Sequence, residues 1–228
     1  MTPALQNAEL PDRVYRLGRV PDPWDWPDWS YAIPDGTFGN RFDDPGRQYR
    51  VLYASAQRET TFRECLARFR PDPAVVGAEI AENDDDENSP QTLPAGRVSL
   101  TWLQNRRMGT GRLTGEFCDI GHSASILRLR HALTARLLHY GLDDLDAGDI
   151  RLRAPRGFTQ EISRYVFEQA DQGEPSYAGI RYGSRLGDEL MNWAIFEPNE
   201  PMDCEHEEIE PEDPDLVRVL ADYALTLG

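Results

Sequence analysis

Three side chains able to do chemistry fall within residues 37–64: the Arg41 guanidinium, the Tyr53 phenol and the Glu64 carboxylate. All 24 basic residues of the 228-residue chain are arginine. The absence of lysine excludes Schiff-base chemistry and a P-loop lysine. An anion held by a side-chain cation must therefore be held by arginine or by a protonated histidine. His122, His131, His139 and His206 are scattered. Cys65 follows Glu64 directly, yet no histidine stands near it, so a thiol nucleophile has little support. No GxSxG elbow, HExxH helix or strand–GxGxxG–helix unit is present, and the GTGRLTG of residues 109–115 lacks that spacing.

The elements around these side chains are legible. Asp43-Asp44-Pro45-Gly46 is turn chemistry after a loop at Phe38-Gly39-Asn40-Arg41. Residues 49–54 are β-branched and aromatic, which favours a strand. Thr60 or Thr61 then offers an oxygen to free backbone N–H groups, which predicts a helix start. That helix runs through Phe69 and stops before Pro71. A loop, a strand and a helix start commonly converge on a cleft.

Elsewhere, residues 14–18 read as a short strand with Arg16 at its centre, after a loose leader over residues 1–13. Residues 21–36 are crowded with Pro, Asp and Trp and read as an ordered loop. It is either a packing lid, the better reading for Trp24 and Trp26, or an aromatic wall for a planar ligand, which stays open for Trp29. Strands are predicted at 74–81, 97–103, 106–113, 177–182 and 192–196, with a short extended piece at 117–120 and an acidic loop over 82–96. Helices are predicted at 123–140, where Ile126, Leu129, Leu133 and Leu137 recur at helical spacing, and at 159–172 and 215–227. Ser184 sits at a strand exit. Strands outnumber helices without alternating strictly, which argues for an α+β fold over a doubly wound sheet. One domain over residues 14–228 is expected.

The net charge of −16 is concentrated. Residues 82–88 hold five acids and residues 197–215 hold ten, and without those fifteen the chain has 25 acids against 24 bases. Both runs read as solvated segments, with a basic partner surface as the functional alternative. Direct nucleic-acid binding is disfavoured, because it needs a basic face. No apolar run reaches the roughly 20 residues of a membrane span, and the first residues do not read as a signal peptide. Cys65, Cys118 and Cys204 form neither a zinc spacing nor a disulfide framework, which fits a cytoplasmic location.

Tyr15-Arg16, Gly39-Asn40-Arg41-Phe42, Leu52-Tyr53-Ala54-Ser55, Glu64 and Ile180-Arg181-Tyr182-Gly183-Ser184, in this order, resemble the RES domain, named for its Arg, Glu and Ser. The resemblance covers about residues 14–196. It implies a fold similar to the ADP-ribosyltransferase toxins, with small twisted mixed or antiparallel sheets enclosing an NAD cleft and helices flanking them. It also implies a toxin of a toxin–antitoxin pair that degrades NAD by glycohydrolysis or phosphorolysis, or transfers ADP-ribose. The expected partners are NAD and an Xre-like antitoxin; homo-oligomerisation stays open. NAD enters as substrate, and no further cofactor or metal is needed, because nicotinamide is already a cationic leaving group.

On that resemblance Glu64 is the carboxylate that stabilises an oxocarbenium-like sugar. Arg41 and Arg16 hold pyrophosphate. Tyr53 stacks on nicotinamide or bonds to ribose, and Ser184 orients the nicotinamide amide or Glu64. Each has a plainer rival. Thr61-Phe62-Arg63-Glu64 matches a capping box. Arg41 has Asp43 and Asp44 as surface partners, Arg16 has an acidic loop, Tyr53 is an ordinary core aromatic and Ser184 an ordinary turn residue. A non-enzymatic reading also stands, in which an inactive scaffold presents the acidic segment 197–215 to a partner.

Overall fold

The computed structural model describes residues 4–71 and 96–228. In chain order the strands and helices begin with β1 (Val14–Arg19), β2 (Val51–Ser55) and α1 (Arg58–Leu66). Then come β3 (Arg97–Val98), α2 (Leu100–Gln104), β4 (Arg106–Arg112), β5 (Phe117–Asp119), α3 (Ser123–Ala132) and α4 (Thr134–His139). The last third holds α5 (Arg156–Phe167), β6 (Ala170–Asp171), β7 (Glu174–Pro175), β8 (Gly179–Gly183), β9 (Met191–Phe196), β10 (Met202–Glu207), α6 (Pro214–Asp222) and β11 (Thr226–Leu227). The fold is α+β. Seven strands form one sheet in the order β10-β4-β1-β2-β9-β8-β5, antiparallel throughout except for the parallel pair β5–β8. Two small pairs, β3–β11 and β6–β7, flank it.

Side-chain alternation assigns the faces. In β2, Val51 and Tyr53 pack on the cluster backed by α3, α4 and α5, which also takes in Ile120, Leu129, Ile162 and Phe196. Leu52 and Ala54 point the other way, toward Trp24, Trp193 and Ile195. Strand β9 is buried on both faces, so it reads as an almost unbroken apolar run. A second helix layer, α1 with α2 and α6, covers the β1–β4 half through Leu17, Phe62, Met108, Leu216 and Val219.

The sheet is nearly split in two. β1 and β4 share six registered pairs and β2 and β9 share five, but β1 and β2 meet only at Tyr15↔Ser55. Two residues along β2, where a continuing ladder would next join β1, the Tyr53 carbonyl instead takes Arg16 Nη1 at 2.8 Å. The cleft lies along this parting.

Residues 21–36 are regular only in a 3₁₀ turn at Trp29–Tyr31, and of this stretch Trp24 and Trp26 pack on the face that carries Leu52 and Ala54. Trp24 packs against β4 where Gly109 leaves it room; a Cβ there would stand 2.7 Å from Trp24 Nε1.

Several local expectations need correction. Helix α1 starts at Arg58 with Gln57 as N-cap, not at Thr60 or Thr61. Those hydroxyls turn inward, onto Gln57 Oε1 and the Tyr15 carbonyl. The stretch 97–103 is a two-residue strand followed by α2, because Ser99 caps the Trp102 N–H at 3.1 Å. The expected helix at 123–140 breaks at Leu133, where Thr134 Oγ1 bonds the Arg130 and His131 carbonyls and competes with the helical pattern. The helix placed at 159–172 ends at Phe167, and Gln172 and Gly173, both at positive φ, turn the β6–β7 hairpin. The last helix stops at Asp222, and Thr226–Leu227 pairs with β3. The strand expected at 74–81 and the acidic loop up to residue 95 lie outside the described residues. Among the described residues no helix is long and apolar enough to cross a membrane.

The acidic run 197–215 is solvated as expected, with every residue of β10 exposed, but it is not a free loop or tail. Part of it is β10, and its carboxylates meet arginines of the body: Glu197 with Arg50, Asp203 with Arg112, Glu208 with Arg107. Arg58 gathers Glu207, Asp213 and Asp215. Asp213 also caps α6, accepting from Asp215 N and Leu216 N at 3.0 and 3.1 Å. Burial would raise the Asp213 carboxyl, but the Arg58 fork and the capping N–H groups outweigh it and hold it below the usual range. Removing Asp213 therefore costs a cap and half of a mostly buried ion pair. Asp213→Ala is expected to lose about 2–3 kcal/mol in urea unfolding at pH 7. Asp203→Ala, on an exposed pair, should stay within about 0.5 kcal/mol. A carboxyl lowered by folding stabilises above its unfolded pKa, so the Asp213 gap should be full above about pH 5 and shrink as pH falls below about 4.

Candidate active site

A cavity of about 560 Å³ opens beside the β1–β2 parting. Arg16, Arg41, Tyr53, Glu64 and Ser184, far apart in sequence, all line it, together with Ser55, Tyr182 and Asn192. Trp24, Trp26 and Trp29 do not line it, and Trp29 packs instead on Phe38 at 5.4 Å.

The loop carrying Arg41 is built around two buried carboxylates. Asp43 accepts from the Phe38 and Asn40 N–H groups at 2.9 and 2.8 Å, and from the Tyr53 hydroxyl at 2.9 Å. Asp44 accepts from Gly46 N, Gln48 N and Arg164. Gly39, at φ +85°, supplies the left-handed residue the loop turns on. Helix α5 then fastens the loop from behind. Thr159, Gln160 and Ser163, all buried, donate to the carbonyls of Arg41, Asn40 and Phe42. With both aspartates engaged, Arg41 has no ion pair among the described residues. Its Nη2 donates to the Ile150 carbonyl, and its guanidinium lies 5.4 Å from the Phe42 ring centroid and 6.0 Å from that of Tyr182.

Tyr53 is committed to the same loop. Its hydroxyl donates to Asp43 and accepts from the Phe42 N–H at 3.0 Å. Burial, with the Asp43 charge beside it, raises its pKa well above the ordinary value, so it stays a neutral phenol. Arg16 lies in the parting itself. Its Nε donates to the Pro23 carbonyl at 2.6 Å, and it meets no acidic partner among the described residues. Burial pushes it down to about 10, still charged at neutral pH.

Glu64 sits in the second half of α1, so it caps no helix end and the capping-box reading fails. Asn192 Nδ2 donates to Glu64 Oε1 at 2.6 Å, while Asn192 Oδ1 accepts from Ser55 Oγ at 2.7 Å. Ser55 and Asn192 are buried, so this chain has a defined direction. Ser184 Oγ accepts from Leu186 N at 2.9 Å, which leaves its proton to donate into the cavity. The Tyr182 phenol is pushed up chiefly by burial and next by the Glu64 charge, with Arg41 opposing.

Arg156 and Arg185 complete the lining. Among the described residues neither they nor Arg16 and Arg41 have a carboxylate within ion-pair distance, whereas Arg50, Arg58, Arg63 and Arg107 all do. Glu64 is the one carboxylate among the lining residues. Four guanidinium groups around one carboxylate make a receptor for an anion that carries a centre able to turn positive. Cys65 also lines the cavity, but burial raises its pKa, so it is a thiol and a poor nucleophile. The histidines lie elsewhere. Among the described residues no group of three or more His, Cys, Asp or Glu is placed to hold a metal ion.

The family model for the RES domain matches residues 13–218. The chain belongs to the RES domain family. A search of curated proteins gives no match. Among solved structures, a chain from the crystal structure of the M. tuberculosis MbcT–MbcA toxin–antitoxin complex is similar at 13% identity, over 90% of this chain and 86% of that one, with a TM-score of 0.46.

Within this RES domain, Asn192, Arg156 and Arg185 were not singled out from sequence. Asn192 left one signal: it is the lone polar residue in the otherwise apolar run Met191–Phe196. The arginines left none, since an exposed arginine at a helix start or a turn is ordinary. Tyr53→Phe would strand the Phe42 N–H and remove a donor from the buried Asp43. It should cost about 1–3 kcal/mol, read as a lower urea midpoint at unchanged m-value.

Proposed function

We propose that this RES domain consumes NAD by cleaving the nicotinamide–ribose bond, and that it acts as the toxin of a toxin–antitoxin pair. One observation carries the reading: a single carboxylate, Glu64, is oriented by a neutral amide inside a cavity whose arginines have no ion pair among the described residues. When the C1′–N bond breaks, its electron pair leaves with nicotinamide, which becomes neutral, and the ribosyl carbon turns positive. A fixed negative charge stabilises that state more than the ground state, which is what accelerates the step. Arg41, Arg156 and Arg185 supply planar cations for the pyrophosphate. Ser184 offers its proton to the nicotinamide amide, and Tyr53 acts by holding the Arg41 loop.

The reading of segment 197–215 as a free acidic interaction surface is the weaker one, since its carboxylates are largely engaged with arginines of the same chain. The antitoxin partner is proposed from family membership, and an Xre-like protein is the expected kind. The receiving group is water, phosphate or a protein side chain, and the three leave products of different mass.

Purified protein incubated with NAD should release nicotinamide. Glu64→Gln should lower the rate about 100-fold or more while unfolding at the wild-type urea midpoint. Undiminished turnover in that variant removes Glu64 from the chemistry.

A further inference from the structure

The seven-stranded sheet ends at β5 on one side and at β10 on the other. The chain covers the β5 edge with its own leader. Asn7 bridges to Cys118, Ala8 N donates to the Phe117 carbonyl at 2.7 Å, and Asp119 N donates to the Gln6 carbonyl at 2.8 Å. The β10 edge is left open. All six residues of β10 are exposed, and among the described residues its backbone pairs with β4 alone. An unpaired edge is a row of N–H and C=O groups able to accept another strand. The irregularity in its register lies at the start, between Met202 and Glu205, so residues 205–207 run regularly opposite 110–108. Directly after β10, residues 208–211 wall a groove of about 350 Å³, whose other side is Leu100, Leu103 and Gln104 of α2 with Arg107. Leu100 is exposed there. A strand edge leading into such a groove suits an extended peptide, with its main chain on the edge and one side chain in the pocket.

Charge decides the occupant. Residues 202–212 hold six acids and no arginine or lysine. Asp203, Glu207 and Glu208 meet arginines of the body, which leaves negative charge in surplus along the edge. A second copy of this chain is a poor occupant. Antiparallel pairing of β10 with itself sets Glu205 and Glu207, which share a face, opposite the same acids, and like charges directly opposite are destabilising. Phosphate backbones and anionic membrane surfaces are repelled by the same sign. We propose that the outer edge of β10 docks a basic, extended segment of a partner protein. That segment adds a strand to the sheet, faces Glu205 and Glu207 with Lys or Arg, and sets an apolar side chain in the groove at Leu100. The docking element is the backbone edge, so the ion pairs that tie the carboxylates down stay in place and fix the sign of the partner. The proposal goes beyond the NAD reading and does not rest on it, since β4 and β1 stand between this edge and the parting.

The test is calorimetric titration of the full chain, at low ionic strength, with a synthetic peptide of alternating arginine and valine ending in leucine. The same peptide N-methylated at every amide keeps its charge and loses its backbone donors. The methylated peptide should bind about tenfold more weakly to the wild-type protein. Binding of the first peptide should weaken about fivefold or more in Glu205→Arg and in Leu100→Ser, and stay unchanged in Glu174→Gln on the β6–β7 hairpin. Amide exchange within β10 should slow with the first peptide only. Glu205 and Leu100 are exposed, and the methylated peptide needs no variant at all. Equal binding of the two peptides, binding unchanged in either of the two variants, or no binding overturns the docking edge. A wild-type dimer whose β10 amides are protected without peptide overturns it too and gives the edge to a second copy. Each of these results reads the same whether or not nicotinamide is released.

Discussion

The parting between β1 and β2 is the constraint on which the rest of the molecule depends. A seven-stranded sheet joined there by one registered pair leaves backbone groups that a continuous ladder would satisfy. A buried, unpaired carbonyl costs about 1–3 kcal/mol, so something must enter the gap. Arg16 does so, bonding the Tyr53 carbonyl on one side and the Pro23 carbonyl on the other. An arginine in this position both closes the backbone account and brings a charge to the cavity wall. Helix α1 follows β2 immediately and is anchored to β1 by Thr61 on the Tyr15 carbonyl, so Glu64 is fixed relative to the same parting. Strand divergence, guanidinium and carboxylate are thus one arrangement.

The charge distribution follows a second rule. Outside the site many arginines meet carboxylates, and the acidic strap through β10 is tied down by Arg50, Arg58, Arg107 and Arg112. Inside it, the matching is withheld. Asp43 and Asp44, the acids nearest to Arg41 in sequence, are turned into their own loop and satisfied by N–H groups, by Tyr53 and by Arg164. The carboxylates that would have neutralised Arg41 instead build the loop that presents it. A net charge of −16 therefore coexists with a locally positive hollow.

What was legible in the sequence were features carried by local chemistry. The α+β class, the strands at β1, β2, β4, β8 and β9, and the meeting of Arg16, Arg41, Tyr53, Glu64 and Ser184 at one cavity were all readable from pattern and motif order. What was not legible depended on tertiary partners. Thr60 and Thr61 look like cap residues, but their hydroxyls were claimed by Gln57 and by a strand 46 residues away in sequence. The acidic run 197–215 reads as a free loop or tail because its arginine partners lie up to 157 residues upstream. Thr159, Gln160 and Ser163 look like an ordinary polar helix face, and only the fold reveals that they carry the carbonyls of residues 40–42.

The choice of Asn192 as partner for Glu64 is the last step of the design. A carboxylate needs a fixed orientation to face a developing cation, and an arginine or lysine partner would give it one. Such a partner would also cancel the charge, because an opposite charge at hydrogen-bond distance competes directly with the sugar for the same field. A neutral amide avoids this. Asn192 donates one N–H to Glu64 Oε1 and is itself oriented by Ser55 Oγ on its carbonyl side, so the amide cannot flip without losing both bonds. Because Asn192 and Ser55 are buried, neither bond is exchanged with water. The carboxylate is held in place by a partner that carries no charge. Beside it the Tyr182 phenol is kept neutral by burial, and Arg41, the cation that feels its charge, donates to the Ile150 carbonyl instead. Orientation without neutralisation is the property a cation-stabilising carboxylate needs, and here it is supplied by one asparagine on a strand buried on both faces.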